Sequence, residues 1–188
     1  MKILIAGVVL WCGVHLMPSI AASSKQRLVE KLGSSAYRGL FSLAILTSLI
    51  LIVIGWRSSA ESYLYVLPAW SRTAGLVLMV ISIVLLGAAH YQTAIKRFIG
   101  HPMLTGVFVW SVSHLLTNGT TRAWILFGGI GLWALLEILL ISRRDRSREL
   151  PDSPGFAAEL KGLAISAVIF VIALFLHPYF AGVPVLPR

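Results

Sequence analysis

Charge is what this sequence has least of. Charged residues fill 12% of its 188 positions while 57% are apolar, against roughly a quarter charged in soluble domains. A soluble chain of this size needs more charge to cover its surface, so its natural solvent is a bilayer. Acid is scarcer still, with seven Asp and Glu against sixteen Lys and Arg. A single cysteine, Cys12, excludes an internal disulfide and says nothing of redox compartment. The chain also lacks a glycine-rich phosphate loop, a low-complexity tract and a separate soluble domain. It reads as one integral membrane domain over 1–188, with a charged, proline-containing linker near 143–161.

What remains is a set of long apolar runs. Windows of about twenty residues, the length that crosses a ~30 Å hydrocarbon core, fall near 3–20, 39–56, 72–90, 102–117, 123–142 and 162–180. A spanning segment must satisfy its own backbone hydrogen bonds, so the expected fold is all-α, a bundle of about six transmembrane helices. The fourth run is the shortest. The first also reads as a leader peptide, because PSIAASS resembles a small-residue cleavage site. Its length, Trp11 and His15 argue for a retained span.

Orientation follows from the basic residues. Three alternate connections hold Lys25, Arg27, Lys31, Arg38, Lys96, Arg97, Arg143, Arg144, Arg146, Arg148 and Lys161. The other side holds Lys2, Arg57, Arg72, Arg122 and Arg188. That asymmetry predicts basic loops in the cytoplasm and both termini outside. Topology and anionic headgroups account for the positive charge, and no nucleic-acid partner is needed.

Two of the runs carry the same device. In VVLWCGVHL, Trp11 precedes His15 by four residues; in VFVWSVSHL, Trp110 precedes His114 by four. Residues i and i+4 share a helix face, so each helix presents an imidazole beside an indole. Cys12 and Ser111 border those faces. An ionisable ring at membrane depth is costly without a partner. Hydrogen bonding to Thr105, Ser113 or Thr117 is one solution, a proton path a second, a metal a third. Two such histidines on different helices favour haem iron, which is bound in helix bundles between facing spans. Gly106 would admit a flat group or a neighbouring helix.

His101 and His114 lie thirteen residues apart, roughly 20 Å along one helix, and cannot share an iron. His15 is the natural partner for His114. Helix rise nevertheless puts His15 about 18 Å from the outer boundary and His114 about 5–10 Å from it. Axial ligands are only about 4 Å apart, so tilt must close the gap. His101 opens helix four with Pro102, and either caps it, holds a propionate or relays a proton. His90 and His177 fall near membrane interfaces, and Glu137 is the one acid well inside an apolar run.

The stretch HPMLTGVFVWSVSHLLTNG, with WCGVHLMPS before it and LHPYFAGVPVLP at the end, closely resembles the NnrU family of membrane proteins over essentially the whole chain. That resemblance implies a link to denitrification, to nitrite and nitric oxide metabolism. It also implies kinship with the 15-cis-zeta-carotene isomerases, which carry haem b. By resemblance, the isomerase's ligand histidines fall on His15 and His114, and its other motif histidine on His101. Trp11, Trp110 and Gly106 would then border the cofactor. Where the isomerase has a cysteine tied to a redox-linked ligand change, this chain has Ser111, a poor iron ligand; Cys12 holds the equivalent place before His15.

The leading expectation is an inner-membrane haem b protein acting in electron transfer or redox sensing of nitrogen oxides. One alternative is a haem-dependent isomerase or oxidoreductase acting on a lipid-soluble polyene. The other is a cofactor-free assembly partner of a respiratory complex.

Overall fold

A computed structural model describes residues 1–144, 152 and 154–182. The helices are α1 (Lys2–Ile20), α2 (Ala22–Leu32), α3 (Ser34–Ser58), α4 (Ser71–Ala88), α5 (Ile95–Phe98), α6 (Pro102–Thr117), α7 (Thr121–Ala123), α8 (Gly129–Arg144) and α9 (Phe156–Ala181). A single π-helical turn, Trp124–Gly128, joins α7 to α8 without interruption. Five helices are long and apolar enough to cross a membrane: α1, α3, α4, Thr121–Arg144 and the span beginning at Phe156. The sixth run is α6, shorter at 16 residues. The chain is therefore a polytopic transmembrane helix bundle, as its composition requires. Residues 145–151 and 153 of the expected linker lie outside the described residues, as do 183–188; its two ends, 143–144 and 156–161, are helical, in α8 and α9.

Local chemistry explains the ends. Pro18 sits in the last turn of α1, which stops at Ala21, where φ is −122° and ψ 53°. The basic segment that follows folds as its own amphipathic helix, α2. Gly33 then turns the chain into α3 at φ 80°, a conformation that favours glycine. Pro102 occupies the first turn of α6, where its missing N–H is not needed. Thr120 caps α7 by accepting from Ala123 N–H.

Helix α1 packs chiefly on α3, α4 chiefly on α6, and α8 lies against both α1 and α6; α9 packs on α4. Between equally apolar helices and lipid tails, close packing replaces hydrophobic drive. Small residues supply it. Gly106 of α6 faces Leu86 and the Ser82 carbonyl of α4. Across that seam, Ser82 Oγ donates to Gly106 O and Ser113 Oγ to Gly75 O, both at 2.8 Å. Each such bond is worth about 0.6 kcal/mol in a membrane, so the pair of helices rests mainly on contact.

At the end of α3, Arg122 pairs with Glu61 and lies over the Trp56 ring, 4.4 Å from its centroid. Leu64 N–H donates to Gly119 O and Thr121 N–H to Ser62 O, both at 2.8 Å. These contacts tie the 59–70 loop to the α6–α7 connection.

Candidate cofactor cavity

Because α3 and α4 pack on different partners, the bundle keeps a space between the α1–α3 and α4–α6 pairs, floored by α8. It is an open cavity of about 1150 Å³, at the large end of the roughly 300–1,000 Å³ usual for small-molecule and cofactor sites. Trp11 and His15 line it from α1, Leu49 and Ile52 from α3, and Leu86 from α4. Met103, Leu104, Val107 and Trp110 line it from α6; Ile130, Trp133, Glu137 and Ile141 line it from α8. Lys96, Gly100, His101 and Pro102 stand at one end.

The paired device of the sequence is present in both helices. His15 Nδ1 lies 2.9 Å from the Trp11 carbonyl, and His114 Nδ1 lies 3.0 Å from the Trp110 carbonyl. A carbonyl oxygen only accepts, so in the neutral ring Nδ1 carries the proton and Nε2 keeps its lone pair. That is the arrangement a metal-binding imidazole needs: one nitrogen fixed by a backbone acceptor, the other available. The indoles lie beside the rings, with centroids 4.3 Å apart for Trp11–His15 and 4.6 Å for Trp110–His114.

The two imidazoles occupy different levels. His15 packs on Trp133 at 5.0 Å and on Phe41 at 5.8 Å. His114 stacks on Phe127 at 4.3 Å and faces His177 at 6.5 Å. Phe127 and Trp133 are six residues apart in one span, about 9 Å of helix rise. His15 lines the cavity; His114, one turn beyond Trp110 on the same face of α6, does not. Gly106 faces α4 rather than the cavity, the helix-packing alternative of the two that its size allowed.

His101 caps α6 and lines the cavity's end, with Nε2 3.1 Å from Ser142 Oγ. Glu137 is buried and accepts the Ser19 hydroxyl at 2.5 Å. Cys12 Sγ donates to Gly129 O at 3.8 Å. Ser111 is buried against Gly131.

Several lining residues escaped the sequence reading. Trp133 is the chief one, since it touches both His15 and Trp11. It precedes Glu137 by four residues, the same spacing that drew notice to the other tryptophans. Phe127 had no such signal, because its position depends on the π turn.

A transmembrane helix bundle with an apolar cavity lined by His15 and His101 defines an integral membrane protein. The family model described as NnrU protein matches residues 3–185. The chain belongs to the NnrU family. No curated protein and no solved structure matches it.

Proposed function

We propose that the chain is an inner-membrane haem b protein, in which His15 and His114 would hold the haem, that serves nitrogen-oxide metabolism by electron transfer or redox sensing. The observation that carries this reading is His15 itself: an imidazole held through Nδ1 by the Trp11 carbonyl in the wall of a cavity of about 1150 Å³. His15 and the lining fit haem, while His114 lies outside the cavity. Each histidine has its Nδ1 proton fixed by a carbonyl, and the lining is mostly aliphatic and aromatic.

Bound haem would supply reversible iron redox chemistry and affinity for small molecules such as nitric oxide. The chain's own residues orient and shield. Trp11 and Trp133 hold the His15 ring from two sides, and the apolar walls exclude water. His114 completes the pair only when the offset between its level, at Phe127, and that of His15, at Trp133, is shortened. Ligation of both rings would therefore couple iron to helix position, a property suited to sensing. The reduced-minus-oxidised spectrum of wild type, His15→Ala and His114→Ala tests the reading; a colourless wild type purified from a haem-replete host sinks it.

A second reading, a haem-dependent isomerase of a lipid-soluble polyene, draws on one feature. The cavity takes walls from α3 and α4, which make their extensive contacts elsewhere, so an apolar chain has a lateral way in. Conversion of a zeta-carotene isomer by the haem-loaded protein would favour it.

A further inference from the structure

One end of the cavity is built differently from the rest. Among the described residues, Lys96 is the single lysine or arginine in the lining. It is half-buried, and its Nζ donates to the Ala89 carbonyl at 3.2 Å. Among the described residues it has no carboxylate partner. A half-buried ammonium beside an apolar space favours an anionic group in that space. His101 stands at the same end, its ring held by Ser142.

The position of Lys96 is fixed from a distance. Glu159 of α9 accepts from Thr93 Oγ1 at 2.8 Å and from Ala94 N–H at 2.5 Å. Ile95 N–H bonds Thr93 Oγ1 at 3.2 Å. The carboxylate of Glu159 is thus spent on the turn that carries Lys96. Glu137, the cavity's acid, bonds Ser19 on the α1 side through Oε1 and forms no ion pair with Lys96. The far end, with Leu49, Ile52, Leu126 and Ile130, offers no cation.

We propose that Lys96 is the carboxylate-recognising residue of the cavity, binding the propionates of haem b and setting which edge of the porphyrin faces the 96–101 end. This rests on the haem reading. Haem b carries its two carboxylates on one edge, so a single cationic end gives one orientation. Glu159 acts through the turn and is a positioning residue.

The test uses the full-length chain purified in detergent without haem, titrated with haem b and with haem b dimethyl ester, and read by the absorbance change. In wild type, haem b binds more tightly than the ester. Lys96→Met weakens haem b by about tenfold, the scale of one charge-assisted hydrogen bond, and leaves ester binding unchanged; Lys96→Arg restores most of the loss. Equal binding of haem b by wild type and Lys96→Met overturns the proposal. So does equal weakening of both ligands, which marks a structural role, or wild type binding the ester as tightly as the acid, which assigns Lys96 to another carboxylate such as a fatty acid. A wild type that binds neither porphyrin overturns the haem reading as well, and that outcome is distinct from the other three.

Discussion

Ser19 on α1 donates its hydroxyl proton to Oε1 of Glu137 on α8 across 2.5 Å, while Glu137 Oε2 is buried without a hydrogen-bond partner. Removing the serine leaves a buried carboxyl with no partner on either oxygen, which costs about 1–3 kcal/mol. Ser19→Ala therefore lowers the thermal midpoint of the detergent-solubilised protein, and adding Glu137→Leu to it recovers part of the loss. A Ser19→Ala midpoint equal to wild type would show that the bond contributes nothing.

The seam between α4 and α6 depends on Gly106. A Cβ there would lie 3.1 Å from both Leu86 N and Ser82 O, and backbone atoms yield little. Gly106→Val costs about 1–3 kcal/mol by overpacking, visible as a lowered unfolding midpoint. Gly155→Val, where a Cβ meets nothing within 4 Å, serves as the control. Similar midpoints for the two variants would remove the packing argument.

Around Arg122, magnitudes separate two contributions. The Glu61 pairing is partly exposed, with the two side chains 15% and 47% accessible, and exposed pairs are worth about 0–1 kcal/mol. The guanidinium also covers Trp56, worth about 0.5–1 kcal/mol or more, and donates to its carbonyl at 3.5 Å. Arg122→Ala should thus loosen the 59–70 loop more than Glu61→Gln does. Hydrogen exchange over 59–70 checks the order, and the reverse order refutes it.

For the histidines, the cavity position of His15 and the offset of His114 predict unequal phenotypes. His15→Ala lowers haem b affinity by more than about a hundredfold, beyond the 10–100-fold range for supporting residues. His114→Ala keeps the cofactor but loses the low-spin bis-imidazole spectrum. Identical spectra for wild type and His114→Ala would exclude it as a ligand.

Much of this architecture was readable because a bilayer imposes length. The run at 102–117 coincides with α6, and Pro102 marked its start. The Trp11–His15 and Trp110–His114 pairs were equally plain, since i,i+4 spacing fixes a face without any knowledge of neighbours. Relative depth was readable in part: helix rise alone set His15 deeper than His114, but it did not say whether tilt closes the offset. His15 and His114 fall on opposed helices, and no pattern within either one says that the first meets Trp133 and the second Phe127. Nor does local sequence aim Lys96: that takes Glu159, more than sixty residues away.

The π turn at Trp124–Gly128 holds one residue more than an ordinary helical turn, as a single-codon insertion into a regular helix would produce. Excising one residue there should restore a regular α-helix, with the side chains of the turn re-aimed and the flanking segments kept in register. Phe127 would swing off His114 while Trp133 kept its place against His15. The wide turn thus works as a hinge of register, through which the environment of one imidazole can change while the other stands still.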